Sequence, residues 1–126
     1  MNDEQPLSAI LVIEPYQAVR EGLVTLFETL ELPVYGYADA TGCLASEHLN
    51  AAGCIISAAR LPDGDAAQLQ RKLHDRRLTV PLIVMSSGKS EASLVTRARA
   101  LGPVTVVTKP LVNSQLMLEV CHLLAH

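Results

Sequence analysis

The chain contains no tryptophan, few other aromatic residues and no long hydrophobic run. Aromatic residues make up only 3% of its 126 residues, so a core must be built mainly from Leu, Val, Ile and Ala, which the 49% hydrophobic content allows. No stretch approaches the roughly 20 apolar residues of a membrane span. The polar, acidic start, Met1–Leu7, is unlike a signal peptide. We therefore expect a soluble, cytoplasmic protein that does not associate with membranes.

Basic residues are too few for an overall nucleic-acid footprint, because the net charge is -3. One local basic cluster exists and alternates with leucines; it consists of Arg71, Lys72, Arg76 and Arg77. We interpret the cluster as the solvated face of a helix rather than a nucleic-acid patch. We expect no direct contact between this chain and nucleic acid.

Cysteines are also scarce, and their arrangement excludes two kinds of site. Cys43, Cys54 and Cys121 are odd in number and widely spaced, and no CxxC or Cys/His ligand spacing occurs. Neither a disulfide framework nor a zinc site is supported. We expect buried free thiols, and we expect neither a metal nor a cofactor.

Five short apolar runs, each bounded by Pro, Gly or polar residues, are present. They are Ala9–Ile13, Val34–Ala38, Gly53–Ser57, Leu82–Ser86 and Val104–Thr108. Continuous apolar runs are typical of strands that are buried on both faces. Segments in which apolar residues recur with the period of a helix separate these runs and follow the last one. Strands that are joined by helical crossovers pair in parallel, and their connections are right-handed. The pattern predicts one doubly wound α/β domain over residues 1–126.

Helix signals support this alternation. A stripe from Val19 to Leu30 ends before Pro33, and a shorter stretch containing Leu44 and Leu49 begins at Asp39 or Thr41 and ends at Gly53. Asp65 can cap a third helix. The fourth and fifth stripes run from Leu94 to Leu101 and from Leu116 to Leu124. Reactive groups in such folds gather at the carboxyl ends of the strands.

Four strand ends carry polar or unusual residues. The sequences there are Ile13-Glu14-Pro15-Tyr16, Ser57-Ala58-Ala59-Arg60-Leu61-Pro62-Asp63-Gly64-Asp65, Met85-Ser86-Ser87-Gly88 and Thr108-Lys109-Pro110. In this order and spacing, the chain resembles the receiver domains of two-component response regulators over essentially its whole length. It is most similar to receivers that precede helix-turn-helix output domains. The resemblance implies a flavodoxin-like (βα)5 fold with strand order 2-1-3-4-5.

The resemblance also implies a role for individual positions. A typical receiver has two acids after the first strand that hold Mg²⁺; here the matching residues are Glu14 and Pro15. The phosphoacceptor aspartate matches Ala58. The hydroxyl residue that contacts the phosphoryl group matches Ser86, and the aromatic switch residue matches Val106. The invariant lysine matches Lys109, with the following Pro110 expected to be cis.

These departures matter chemically. Phosphotransfer needs a carboxylate nucleophile and a divalent cation, and the methyl group of Ala58 supplies neither. Ser57 should point away from the pocket, because successive strand residues face opposite sides. Asp63 and Asp65 lie beyond the turn, and Asp65 is more simply explained as a helix cap. We therefore expect Mg²⁺-dependent phosphorylation to fail.

Charge counting suggests what remains of the pocket. One carboxylate, Glu14, and one ammonium, Lys109, stand at neighbouring strand ends, and we expect them to pair directly. In the alternative, Glu14 is simply solvated.

Two functions remain open, and neither is enzymatic. The first is a phosphorylation-independent receiver that signals by protein contact or homodimerisation, as the N-terminal part of a transcriptional response regulator. The resemblance implies that its partner face is the fourth helix, fifth strand and fifth helix, within Ser90–Leu101 and Val104–His126. Charged positions expected to be exposed there are Glu91, Arg97, Arg99 and Glu119.

The alternative is a domain that binds a small molecule in the vestigial pocket, beside Ala58 and Tyr16. No P-loop, GxGxxG or GxSxG motif supports an enzyme.

Overall fold

The structure is a computed structural model that describes residues 9–109 and 113–124. Its five sheet strands are β1 (Ala9–Ile13), β2 (Val34–Tyr37), β3 (Ala52–Ala58), β4 (Leu82–Ser86) and β5 (Val104–Thr108). The helices are α1 (Gln17–Glu28), α2 (Ala40–Leu44), α3 (Ala66–Asp75), α4 (Ala92–Arg99) and α5 (Asn113–Leu124). Single 3₁₀ turns lie at Leu49–Ala51 and Lys89–Glu91, and a two-residue antiparallel ladder joins Arg60–Leu61 to Gly64–Asp65.

The five strands form one parallel sheet in the order β2-β1-β3-β4-β5. The flavodoxin-like doubly wound fold and its strand order are thereby confirmed. The chain adds β2 on one side of β1 and the later strands on the other side, although all five strands run parallel. The carboxyl ends of β1 and β3 therefore flank the topological switch point. The sheet therefore brings Glu14 and Ala58 to the same edge.

Burial follows the sheet order. Every residue of β1, β3 and β4 is buried, whereas the edge strands β2 and β5 are largely half-buried. Leu23 and Phe27 of α1 and Leu69 and Leu73 of α3 pack into the core, which aliphatic side chains dominate. Among the described residues, no helix is long and apolar enough to cross a bilayer.

The second helical stretch differs from its prediction as one continuous element. Asp39 caps α2 by accepting a hydrogen bond from the Gly42 N–H at 2.8 Å, but the helix ends at Leu44. The Ser46 hydroxyl then accepts from the His48 N–H and is hydrogen-bonded to the Tyr37 hydroxyl. Side-chain bonds of this kind compete with helical ones, which accounts for the break before the 3₁₀ turn.

Other sequence predictions have mixed outcomes. Strand β2 ends one residue earlier than predicted, and β3 is longer by one residue at each end. Asp65 caps α3, accepting from the Gln68 N–H at 2.9 Å, as expected. The expectation that all three thiols are buried is wrong for Cys121, which is exposed because it neighbours the core-facing Val120 on α5. Burial raises the pKa of the other two thiols, Cys43 and Cys54, to about 12.

Candidate functional site

A cavity of about 350 Å³ opens at the carboxyl ends of the central strands. Four of the seven positions to which the resemblance gives a role line it: Glu14, Pro15, Ala58 and Lys109. Ser86 and Val106 are not among its lining residues, and Pro110 lies outside the described residues. The remaining lining residues are Tyr16, Ala59, Arg60, Met85, Ser87 and Glu91.

Glu14 provides a fully buried carboxylate. Its Oε1 accepts a hydrogen bond from the Tyr16 N–H at 3.2 Å, and the Arg20 guanidinium donates to the Glu14 carbonyl at 2.7 Å. Its Oε2 has no hydrogen-bond partner. The nearest cation to Oε2 is the Lys109 ammonium, whose Nζ lies 3.6 Å away.

The Glu14–Lys109 contact confirms the predicted pairing, and the 0% exposure of Glu14 excludes the alternative of a solvated side chain. The distance is that of an ion pair rather than a hydrogen bond. The Lys109 N–H donates to the Ser86 carbonyl at 2.8 Å, which fixes the backbone beyond β5 against β4. The Lys109 side chain is 30% exposed, so solvent screens part of the attraction.

Ala58 ends β3 and contributes a methyl group to the cavity wall. Its neighbour Ser57 is fully buried, does not line the cavity, and donates its hydroxyl to the Ala58 carbonyl at 2.8 Å. The alternation of side chains along a strand explains this difference. Ser57 therefore does not replace a carboxylate at this point of the pocket.

Ser86 ends β4, and its hydroxyl bonds within its own turn. It accepts from the Gly88 N–H at 3.1 Å and donates to the Gly88 carbonyl at 3.3 Å. Gly88 has φ +128°, a conformation that side chains other than hydrogen strongly disfavour.

Glu91 corrects the sequence prediction most clearly, because it is 5% exposed rather than a solvated position of the partner face. Its carboxylate accepts a hydrogen bond from the Ser87 N–H and lies 3.4 Å from the Arg60 Nε. Arg60 also donates through Nη2 to the Ser90 carbonyl at 3.1 Å. The Ser87 N–H and the Arg60 guanidinium compensate the burial of this carboxylate.

Comparison with known proteins identifies the family. The family model for the response regulator receiver domain matches residues 10–121. This chain belongs to the response regulator receiver domain family. It is 30% identical over 117 residues to the response regulator protein TmoT of Ectopseudomonas mendocina, covering 93% of this chain and 52% of TmoT. It is 27% identical over 107 residues to the transcriptional regulatory protein FixJ of Bradyrhizobium diazoefficiens, covering 85% of this chain and 52% of FixJ.

Solved structures agree with this assignment. Full-length FixJ from B. japonicum matches with a TM-score of 0.81 and 25% identity, covering 94% of this chain and 58% of FixJ. The signal receiver domain of an HD domain-containing protein from Pseudomonas fluorescens Pf-5 shares the fold, with a TM-score of 0.83 and 22% identity over 100% of this chain and 93% of that domain. The chain thus spans about half the length of the curated relatives described above.

A receiver domain of the typical kind holds a divalent cation in this pocket, and the residues of this one do not fit it. Mg²⁺ takes oxygen ligands and usually binds through carboxylates and waters. Pro15 and Ala58 offer no side-chain oxygen, the Glu14 carboxylate faces Lys109, and the Glu91 carboxylate is engaged by Arg60 and Ser87. No cluster of three potential metal ligands occurs within residues 9–109 and 113–124.

The pocket of this receiver domain therefore contains two carboxylates and two cations, whereas counting from the sequence gave one of each. The missed residues are Glu91 and Arg60, which lie on different loops. Their pairing has a weak sequence signal: Glu91 stands four residues after Ser87, just before α4, where an acid suits the amino end of a helix. Nothing in the spacing points to Arg60 as its partner.

Outside this cavity, the carboxylate of Asp63 connects the loop after β3 to α2. It accepts hydrogen bonds from the Thr41 hydroxyl at 2.6 Å, the Thr41 N–H at 2.8 Å and the Ala40 N–H at 3.1 Å. These bonds, the Thr41 hydroxyl first among them, lower the pKa of Asp63 to about 2. Asp63 is thus a structural anchor of the loop that follows Ala58.

Proposed function

We propose that this receiver domain transmits its signal by protein contact and is not phosphorylated at the end of β3. The observation that carries the proposal is the buried methyl group of Ala58 at that point of the cavity. An acyl phosphate forms only on a carboxylate. Because Ser57 is directed elsewhere, no neighbouring strand residue supplies a substitute nucleophile.

The charges around Ala58 support the same conclusion. A phosphoryl group carries negative charge that a metal normally neutralises. Here Lys109 already lies beside Glu14, and Arg60 already lies beside Glu91. An incoming phosphoryl group would have to break these pairs without gaining a metal.

Mass spectrometry of the intact protein tests the proposal. The chain is incubated with acetyl phosphate and Mg²⁺, and we expect no phosphate adduct. A receiver with an intact acidic site, treated in parallel, shows that the phosphodonor is active. The double variant Pro15→Asp, Ala58→Asp restores the acids that the resemblance implies and should gain an adduct. A stoichiometric adduct on the unaltered chain would overturn the proposal.

We further propose that the contact face is built from α4, β5 and α5, and that the domain is the receiver part of a longer transcriptional regulator of the cytoplasm. Exposed Arg97 and Arg99 and half-buried Val104, Val106 and Glu119 supply charge and apolar surface there. The curated relatives, which include transcriptional regulators, are about twice as long as this chain. Gel filtration with multi-angle light scattering tests homodimerisation, and a monomer at all concentrations would favour a different protein as partner.

A second candidate function is binding of a small molecule in the same cavity. Two observations favour it: the Glu14 Oε2 has no hydrogen-bond partner, and Tyr16, 71% exposed, adds an aromatic ring to a cavity lined by Ala58. A thermal-shift screen against metabolites tests this candidate, with Ala58→Leu as the variant that fills the cavity. A ligand that stabilises both proteins equally does not bind there.

A further inference from the structure

A groove of about 560 Å³ runs between α3 and α4, away from the cavity described above. Its floor is apolar and includes Ala67, Ala100 and Leu101, and Arg71, Lys72 and Arg97 line its sides. A second groove of about 480 Å³ continues it past the end of α3 and shares Asp75 and Leu101 with the first. Leu78, Val80, Pro103 and Arg77 line this continuation.

The cations of this surface are poorly neutralised by the chain itself. Within the described residues, no carboxylate lies within ion-pair distance of Arg71, Lys72 or Arg77, and all three are exposed. Arg97 is paired with Asp65 at 3.6 Å. The net charge of the chain is -3, so the rest of the chain is more negative than this value. The unpaired cations of this surface therefore stand out from an acidic background.

Neither of the acids that line the grooves, Asp63 and Asp75, lies within ion-pair distance of Arg71, Lys72 or Arg77. The Asp63 carboxylate accepts hydrogen bonds from Thr41 and Ala40, and Asp75 lies 3.9 Å from the adjacent His74. The surface therefore combines an apolar floor with unpaired positive charge on its sides. Electrostatic complementarity of this kind guides association and selects partners.

We propose that this α3–α4 groove, defined by Arg71, Lys72, Arg77 and the floor residues Ala67 and Leu101, binds an acidic, partly apolar segment of a partner protein. Apolar side chains of the segment fill the floor, and its carboxylates contact the three unpaired cations. The proposal does not depend on the phosphorylation state of the domain or on the α4–β5–α5 contact face proposed above. The proposal gives the basic residues in and directly after α3 a role in binding, whereas the sequence pattern alone indicates the solvated face of a helix.

Nucleic acid fits this surface less well than an acidic peptide. A phosphate backbone gains its affinity from contacts with many Lys and Arg side chains and the release of counterions, whereas the unpaired cations of this surface are few. The apolar floor offers nothing to phosphates. A peptide segment meets both the apolar and the basic parts of the groove.

The test is a titration of the full chain followed by backbone-amide NMR. The probe is a synthetic helical peptide with glutamates spaced i, i+4 on one side and leucines between them. Shift changes should cluster in α3 and in residues 100–103. The double variant Arg71→Glu, Lys72→Glu should weaken binding by about tenfold or more, which corresponds to about 1.4 kcal/mol. The same peptide with glutamine in place of glutamate should bind as weakly.

The matched control is Lys89→Glu, compared with the single variant Lys72→Glu, because it makes the same charge change at an exposed lysine that lines neither groove and lies outside the proposed contact face. Lys89→Glu should retain most of the affinity. Equal loss of affinity in Lys89→Glu and Lys72→Glu would show that the effect comes from overall charge and would overturn the proposal. Unchanged binding in the groove variant, or equal binding of the glutamine peptide, would also overturn it. Tighter binding of duplex DNA than of the peptide would assign the surface to nucleic acid instead. Arg77→Glu gives an independent measurement if the double variant is unstable.

Discussion

Among single residues, Glu14 has the most demanding environment. Its carboxylate is completely buried, one oxygen accepts a single backbone hydrogen bond, and the other meets only the Lys109 ammonium at 3.6 Å. A buried carboxylate without compensation is costly, so the lysine at the end of β5 becomes a structural partner of β1. The pair bridges two strand ends that in the sheet order are separated by β3 and β4.

Lys109→Ala should destabilise the protein by about 2 kcal/mol, because it leaves the Glu14 carboxylate buried without a cation. The partial exposure of the lysine keeps the expected loss below that of a fully buried pair. Urea unfolding monitored by circular dichroism measures the change. Lys89→Ala, at an exposed lysine, is the matched control and should change stability by less than about 0.5 kcal/mol. An unchanged melting temperature and unchanged loop dynamics in Lys109→Ala would show that the pair contributes nothing.

Between elements, ionic contacts hold the loops at the carboxyl edge of the sheet. Arg60 follows β3 and contacts Glu91 and Ser90, which precede α4. The Ala59 N–H also donates to the Met85 carbonyl at 3.1 Å. The loop after β4 is therefore attached to the loop after β3 by an ion pair and by side-chain and backbone hydrogen bonds.

Glu91→Gln should loosen this attachment, since an amide keeps an acceptor for the Ser87 N–H but loses the charge that attracts Arg60. We expect a loss of about 1–2 kcal/mol in the stability of the loop. Hydrogen exchange at the amides of residues 87–91 should become faster, while exchange in β1 stays slow. Glu28→Gln, at an exposed acid of α1, is the control. Equal protection in Glu91→Gln and the unaltered chain would contradict this account.

Asp63 links the loop after β3 to α2, and its contribution should depend on pH. The folded-state pKa is about 2 and lies below the ordinary value of 3.8, so the stabilisation is fully present above 3.8 and is lost as pH falls through 2. Asp63 is exposed, so solvent screens part of this contribution, and Asp63→Asn should destabilise the protein by no more than about 1 kcal/mol near neutral pH. Thermal unfolding of the two proteins should converge as the pH approaches 2. A difference that persists undiminished at that pH would contradict the assignment.

For the whole molecule, the sequence was sufficient to predict the sheet and much of the pocket, because both follow from periodic patterns. Continuous apolar runs located the five strands, and chain order placed Glu14, Ala58 and Lys109 at one edge. The pairing of Arg60 with Glu91 was missed because the two residues are 31 positions apart and meet only through loop geometry. The burial of Glu91 was missed for the same reason: a charged residue ahead of a helix normally faces solvent.

Reactivity of the thiols reports on the integrity of the whole fold. Cys43 and Cys54 are buried, and burial raises the pKa of both to about 12, whereas Cys121 is exposed. Alkylation under native conditions should therefore modify Cys121 alone, and the other two should react only as fast as the protein unfolds. Mass spectrometry over time in iodoacetamide measures this, and Cys121→Ser should abolish the rapid phase. If Cys43 reacted rapidly while β1 amides stayed protected, α2 would be opening on its own. The Asp63 anchor would then be weaker than its hydrogen bonds indicate.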